Sequence, residues 1–197
     1  MEETEALIKR TAKQMFFGQG RFNAKMHEIA SEAGINRALL HYYFRNRENL
    51  FDVVLKEAME ESFIRMFDIL STHKKFETKV TEAIHQIVDC LAEYPFIENF
   101  IISEINKNPA NAITLGTLKK GKAFTRGFLK EIQQYIRQNK LPYLSAEDFI
   151  VNMMSLCAYP SSTKPIIKHI LGYSEKNYRQ FLLRRKKMIS RILLATS

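Results

Sequence analysis

The sequence predicts an all-α fold. Seven glycines and five prolines in 197 residues are too few for the many tight turns of an all-β protein. Leucine, isoleucine, lysine, glutamate, alanine and methionine are abundant, and most of these residues form helices well. Apolar residues also recur at helical spacing along much of the chain. With 46% hydrophobic and 26% charged residues, the chain can bury a sizeable core and is not disordered by composition.

Three short helices are predicted at the amino end. The first spans about residues 5–17, where apolar residues follow helical spacing until two glycines end the run. The second spans about 26–33 and is followed by Gly34 at the position of a left-handed C-cap. Asn36 can cap the third helix, which runs to about Tyr43. Two short helices joined by the segment EAGIN are typical of a helix-turn-helix.

A larger helical body is predicted to follow. Asn46 caps a fourth helix whose amphipathic pattern continues to about Leu70. The chain is predicted to divide into a head, residues 1–46, and a body, residues 47–197, which share this helix without a flexible linker. Further helices are predicted at about 76–93, 95–107, 118–138, 145–158, 165–171 and 174–195. The segments NKNPAN, NKLPYL and YPSSTKP are predicted loops, because proline and polar residues concentrate there.

The net charge of +9 indicates a polyanionic partner, and the charge is unevenly distributed. Residues 1–47 contain eight Lys/Arg against five Asp/Glu, and residues 48–163 contain thirteen against fifteen. Residues 164–197 contain nine against one. The middle of the chain is therefore nearly neutral, and both ends are basic.

Several classes of protein are disfavoured. No apolar run approaches the roughly 18 residues of a membrane span, and the acidic start MEETEALIKR differs from a signal peptide, so a cytoplasmic protein is expected. Cys90 and Cys157 lie in apolar surroundings without CxxC spacing, which predicts buried thiols and neither a disulfide nor a metal site. The histidines show no HxxxH or HExxH spacing, and GxSxG and glycine-rich phosphate motifs are missing. We expect no cofactor and no enzymatic activity.

The third helix has two chemically different sides. With successive residues placed about 100° apart, one arc of about 140° holds Arg37, Ala38, His41, Tyr42 and Arg45. A separate arc holds Leu39, Leu40 and Tyr43. The second arc is predicted to dock on the first two helices, and the first to face solvent. Two residues stay open, because Tyr43 can pack into the head and Leu39 is either core or an apolar contact to DNA.

The predicted outward side suits the DNA major groove, which admits one α-helix. Arginine matches guanine O6 and N7 bidentately, and a small residue lets the backbone approach the bases. A cation and free N–H groups near the start of a neighbouring helix suit flanking phosphates. The predicted DNA-binding residues are Lys25, Asn36, Arg37, Ala38, His41, Tyr42, Tyr43 and Arg47. The alternative is a solvated helix face without a ligand.

The segment IASEAGINRALLHYYFRNRENLFDVVL resembles the DNA-binding head of the TetR family of bacterial transcriptional regulators. The pattern of that family reads roughly I-A-x-x-A-G-V-S-x-G-x-L-Y-x-H-F-x-x-K-x-x-L. The resemblance covers about residues 5–55 without gaps. It implies a cytoplasmic regulator, most simply a repressor, that binds a palindromic operator as a homodimer and is released by a small-molecule effector.

This chain departs from the family pattern at several positions. Asn36 stands for the usual Ser, Ala38 for Gly, His41 for Tyr, Tyr43 for His and Arg47 for Lys. Most of these changes preserve a cap, a small residue, a polar aromatic or a cation. The histidine is the change expected to alter operator choice. The second helix also lacks the usual Ser/Thr cap, so Lys25 or Asn23 is expected to contact phosphate there.

The resemblance implies that the body binds an effector among its middle helices. The candidate lining residues are apolar except for one histidine, and for each of them plain core is the alternative that the residue types favour. They are Phe63, Phe67, His85, Phe96, Phe100, Phe124, Phe128 and Met154, with Ile84 and Val88 beside them. No residue identifies the ligand.

The resemblance also implies that two C-terminal helices pair with those of a second subunit. The predicted interface residues lie in one apolar stripe on each of these two helices. They are Phe149, Met153, Leu156, Phe181, Met188 and Ile192, and the alternative is that both stripes are intramolecular core.

The basic run Arg184–Lys187 is predicted to be a solvated face, with an acidic ligand or partner as the alternative. A different reading of the whole chain is a helical adaptor or an activator whose head binds a protein. Such an adaptor would lack the steep salt dependence of phosphate binding.

Overall fold

The computed structural model describes residues 2–107, 119–138, 140–141 and 145–194. Within these ranges the chain is helical and contains no strand, which confirms the predicted fold class. The helices are α1 Glu2–Lys13, α2 Met26–Glu32, α3 Arg37–Tyr43, α4 Arg47–Leu70, α5 Phe76–Glu93, α6 Ile97–Lys107, α7 Lys119–Arg137, α8 Ala146–Ser162, α9 Lys164–Leu171 and α10 Glu175–Leu194. The segment NKNPAN, after its first two residues, and most of NKLPYL lie outside the described residues.

The first predicted helix changes type before it ends. Its α-helical part stops at Lys13, and a single π-helical turn, Gln14–Gly18, continues it. The Gln19 N–H donates to the Gln14 carbonyl at 2.9 Å, which closes the wider turn. Three consecutive side chains, Met15, Phe16 and Phe17, are buried there. The π turn thus brings more apolar surface to one side of the chain than the predicted α-helix provides.

The caps of the helix-turn-helix and of α4 lie where the sequence predicts them. The Asn36 side chain accepts a hydrogen bond from the Leu39 N–H at 2.7 Å, and the Asn46 side chain accepts one from the Asn49 N–H at 2.8 Å. Gly34 has a φ of 66° in the turn between α2 and α3, where a residue without Cβ is favoured. These local hydrogen bonds set the starts of α3 and α4.

Two hydrophobic cores hold the helices together. The first contains the apolar faces of α1, the π turn, α2, α3 and the first half of α4, together with Leu91, Ile97 and Ala158 from later helices. The second lies between α5, α7, α8 and α10 and contains Phe76 and Phe149. Two ion pairs also join α1 to α4, Lys9 with Glu57 at 2.8 Å and Lys13 with Glu61 at 2.7 Å.

An aromatic cluster joins the amino-terminal helices to α6. The Phe100 ring lies 4.3 Å from that of Phe51 and 5.1 Å from that of Phe22, centroid to centroid. The Phe96 N–H donates to the Phe17 carbonyl at 3.1 Å. Helix α6 begins at Ile97, two residues after the predicted start at Pro95. We call these five phenylalanines the aromatic joint.

The end of α8 differs from the prediction. The sequence predicts a helix end at Ala158 and a loop through YPSSTKP, but α8 continues through Pro160 to Ser162. Proline has no N–H, so the carbonyl four residues earlier, that of Leu156, is left without its helical donor. The Arg185 guanidinium of α10 donates to this carbonyl at 3.3 Å, and the Tyr178 hydroxyl donates to the Pro160 carbonyl at 2.5 Å. Tertiary contacts therefore keep the helix intact.

Three further features bear on the exclusions made from the sequence. Cys157 is buried, and burial raises the pKa of its thiol to about 12. Cys90 is only half-buried, which corrects the expectation for that residue, and its Sγ lies 3.6 Å from the Ser62 Oγ. Over the described ranges, every helix is too short or too polar to cross a membrane.

Gly20 should be much less tolerant of a side chain than Gly34, although both have positive φ. A Cβ at Gly20 would lie 3.1 Å from the Phe96 ring, whereas a Cβ at Gly34 meets nothing within 4 Å. We expect Gly34→Ala to lower the free energy of unfolding by about 1 kcal/mol for the backbone conformation alone. Gly20→Ala should lower it by about 1–3 kcal/mol more, because the joint must move.

Urea unfolding followed by circular dichroism measures both losses on the same protein. Equal losses for the two variants would show that the Phe96 ring gives way without cost and that the joint is loosely packed.

Candidate DNA interface

Helix α3 presents a polar side to solvent and an apolar side to the head core. Arg37, Ala38, Tyr42 and Arg45 are exposed, with Tyr42 at 74% of its full accessibility. Leu40 is fully buried. The helix is seven residues long, so the core holds it mainly through this leucine and its half-buried neighbours. The polar side therefore stands outward, as a helix entering a groove requires.

Hydrogen bonds link His41 to the Arg37 side chain within α3 and to the Arg45 main chain just beyond its end. The Arg37 Nε lies 3.3 Å from the His41 Nε2, and the His41 Nδ1 lies 3.3 Å from the Arg45 carbonyl oxygen. An arginine Nε–H can only donate and a carbonyl can only accept. The arrangement therefore requires a neutral imidazole with its proton on Nδ1.

The two tyrosines of α3 have different environments. Their rings meet edge to face, with 5.3 Å between centroids. Tyr42 extends into solvent, while Tyr43 is half-buried and packs against the head core. Leu39 is also half-buried. The sequence left the surroundings of Tyr43 and Leu39 undecided, and in the structure each side chain is partly packed and partly accessible.

The start of α2 differs from the expectation for a phosphate contact. The Lys25 N–H donates to the Glu28 carboxylate at 2.7 Å, and Arg21 donates to the same carboxylate at 2.6 Å. The Lys25 N–H and, after it, the Arg21 guanidinium lower the pKa of Glu28. The Lys25 N–H is therefore not free for a phosphate, which corrects that part of the expectation. The exposed ammonium group of Lys25 stays available.

Arg47 packs inward. Its guanidinium carbon lies 5.5 Å from the Phe16 ring centroid and 5.7 Å from that of Phe51, within the range of cation–π attraction. Its Nε is buried and has no hydrogen-bond partner in the described part of the chain. The side chain keeps 26% of its accessibility. In this position Arg47 covers the head core and does not extend toward a phosphate.

Comparison with known proteins identifies the family of the amino-terminal head. Residues 8–54 match the family model described as bacterial regulatory proteins, tetR family. The head belongs to the TetR family.

Several solved structures are similar to this chain over nearly its whole length. HlyIIR, a hemolysin II transcriptional regulator, has 22% identity and a TM-score of 0.57, over 96% of this chain and 98% of that one. The TetR-family regulator PfmR from Thermus thermophilus has 11% identity and a TM-score of 0.60, over 94% of each chain. A Clostridium perfringens protein described as a regulator of fatty acid metabolism has 15% identity and a TM-score of 0.65, over 96% and 97%. At these identities the likeness establishes a shared fold.

The predicted effector-pocket residues that the structure describes lie in different surroundings. Phe96 and Phe100 belong to the aromatic joint, and Phe128 is buried in the second core, 6.1 Å from the Phe76 ring. Ile84 and Val88 are also core. His85 and Met154 are exposed, and Phe67 is half-buried. The side chains of Phe63 and Phe124 lie outside the described residues.

Other residues line the clefts of the described body. One cleft of about 350 Å³ lies between the end of α5, the end of α8 and the start of α10, with Leu91, Tyr178, Arg179 and Leu182 in its wall. A smaller one of about 110 Å³ lies between α1, α4 and α5. Sequence periodicity cannot find such clefts, because helix ends that are distant in sequence form their walls.

The predicted dimer-interface residues divide into two groups. Phe149 is fully buried and Met153 is 4% exposed, so both belong to the second core, which corrects their assignment. Leu156 and Phe181 are half-buried against the same core. Met188 and Ile192 are about half exposed, at 49% and 47%. Exposed apolar residues that the sequence analysis missed on α8 are Val151 and Tyr159.

The basic run of α10 is only partly solvated, contrary to expectation. Arg185 caps the Leu156 carbonyl, and Lys186 forms an ion pair with Asp89 of α5. Arg184 and Lys187 are exposed. Half of the run therefore holds α10 against α5 and α8.

Proposed function

We propose that the chain is a transcriptional repressor that binds a palindromic operator as a homodimer and is released by a small-molecule effector. The observation that carries the DNA-binding part is the exposed polar side of α3, on a head that belongs to the TetR family. The major groove presents a distinct donor and acceptor pattern for each base pair, and such a surface can read it.

The side chains of α3 have separate roles in this proposal. The guanidinium of Arg37 reads a guanine through O6 and N7. Ala38 is exposed and small, so the helix axis can approach the base edges. Tyr42 contacts a thymine methyl or a phosphate oxygen, and His41 lies beside Arg37 on the same side of the helix. The Asn36 side chain caps the start of the helix, and this fixes the position from which the other side chains reach DNA.

The distribution of ion pairs supports binding through α3. Lys9, Lys13 and Arg21 each have a carboxylate partner. Among the described residues, no ion pair occupies Lys25, Arg37 or Arg45. These three cations lie around the recognition helix, where phosphates would approach, and the exposed Arg10 of α1 also has no ion pair in the described part of the head.

A second copy of the chain suits the outer surface of α8 and α10. Helix α8 is apolar on two sides, because Phe149 and Met153 face the core while Val151 and Tyr159 are exposed at 62% each. Exposed apolar residues on a helix that already packs on the core mark a candidate contact with another chain. Met188 and Ile192 of α10 are exposed apolar residues as well. A twofold dimer would bring two recognition helices to successive major grooves.

The aromatic joint offers a path from the body to the head. Phe100 of α6 packs directly on Phe51 of α4, and α4 starts immediately after α3. An effector that binds one arrangement of α6 more tightly than another would shift the position of the head. Only such differential affinity can change operator binding.

Selection from a random pool of duplexes should yield a symmetric consensus with half-sites about 10–10.5 bp apart or a multiple of that spacing. On that consensus, Arg37→Ala should weaken the free energy of binding by about 1–3 kcal/mol and abolish the preference for guanine at one position. Arg10→Ala is the control, because it removes an exposed head cation outside α3 and should weaken all sequences equally. Fluorescence anisotropy at several salt concentrations measures both effects. An unchanged consensus for Arg37→Ala would remove this residue from base reading.

Met188→Glu and Ile192→Glu should dissociate the dimer, since each would place a charge in an apolar contact. Leu183→Glu is a matched control on the same helix, at 60% exposure and about 140° around the axis from Met188. Analytical ultracentrifugation should show the wild type and the control at twice the 23.0 kDa of one chain. Met188→Glu and Ile192→Glu should each sediment with the mass of a single chain. A monomeric wild type would contradict the proposed assembly.

Candidate effectors that bind the body should lower operator affinity by about 5–150-fold, the usual range of allosteric coupling. Calorimetry first identifies the compounds that bind, and anisotropy then compares operator affinity with and without each of them. The proposed release is wrong if every bound compound leaves operator affinity unchanged.

A further inference from the structure

The side chain of Arg37 is held before any DNA arrives. Its Nε–H points to the His41 Nε2 at 3.3 Å, and the ring is anchored in turn by the Arg45 carbonyl at 3.3 Å from Nδ1. An arginine on a helix surface normally samples many rotamers, and ordering it on binding costs free energy. Here, part of that ordering is already present in the free protein.

The hydrogen bond to His41 also decides which edge of the guanidinium is free. A guanidinium can offer two parallel donors either from Nε and one Nη or from its two Nη groups. His41 occupies the Nε–H, so the two Nη groups remain. Arg37 is exposed, so these two terminal groups are the donor pair left for guanine O6 and N7.

We propose that His41 is a positioning residue, which acts through its Nδ1-protonated tautomer to hold Arg37 for end-on reading of a guanine. The inference rests on the proposed DNA-binding function and deepens it. It assigns specificity to a residue that needs no base contact of its own. It also gives a physical role to histidine at a position where the family pattern has tyrosine. The imidazole supplies an acceptor on one side and a donor on the other, at fixed separation.

Conservative substitutions at position 41 separate the two hydrogen bonds. His41→Gln places an amide oxygen near the position of Nε2 and keeps the acceptor for Arg37. His41→Asn keeps a donor near the position of Nδ1 but is too short to reach Arg37. The residue is partly exposed, so both variants should retain the fold, and circular dichroism melting checks this.

The test compares affinity for the selected operator with affinity for a duplex in which the guanine–cytosine pair read by Arg37 is replaced by adenine–thymine. We expect His41→Asn to reduce this discrimination by about threefold to tenfold, the range in which networks of side-chain hydrogen bonds act. His41→Gln should retain most of it. In an Arg37→Ala background neither substitution should change discrimination further. The proposal would be overturned if His41→Asn and His41→Gln reduced discrimination equally, or if either reduced it further in the Arg37→Ala background.

A second measurement uses the protein without DNA. Nitrogen-15 NMR of the imidazole should show the His41 Nδ1 protonated and Nε2 as an acceptor in the neutral form. A proton on Nε2 would overturn the positioning role whatever the binding data show. If the wild type binds no duplex at all, the proposed function fails, while the imidazole spectrum still decides whether His41 holds Arg37.

Discussion

The contact between Phe51 and Phe100, with ring centroids 4.3 Å apart, is the interaction on which the arrangement of head and body depends. Phe51 lies in the first two turns of α4, directly after the recognition helix, and also packs on Phe16 and Phe17 of the π turn. A close-packed aromatic cluster transmits displacement because its rings have little space to yield. The missing Cβ of Gly20 leaves room for the Phe96 ring at its edge.

Charge pairing complements this packing. The lysines of α1 pair with glutamates of α4, and Lys186 of α10 pairs with Asp89 of α5. Exposed pairs of this kind contribute little stability each, but they neutralise cations that lie away from α3. Of the cations left unpaired in the described part of the head, Lys25, Arg37 and Arg45 lie around the helix that would meet phosphates, and Arg10 lies on α1. The net charge of +9 comes from the two ends of the chain, since the middle, residues 48–163, is nearly neutral in sum.

Local signals were sufficient for the helices and for the outward side of α3. Asn36, Gly34 and Asn46 act through hydrogen bonds and dihedral angles within a few residues, so their roles can be read from the sequence. The errors lie where distant segments decide. Pro160 suggested a helix end, yet Arg185 satisfies the carbonyl that proline leaves free. Phe149 and Met188 lie in equally apolar stripes, and only the packing of α5 shows that the first is core and the second exposed.

The sequence by itself determined the all-α class, the helix-turn-helix, its family and the polar composition of the recognition helix, because periodicity, caps and a gap-free motif are local properties of the chain. The tertiary structure alone decided that Arg47 covers the head core, that Phe96 and Phe100 belong to the joint and not to a pocket, and that His41 bridges Arg37 and Arg45. Side-chain direction and burial depend on which helices meet, and one-dimensional spacing carries no information about that.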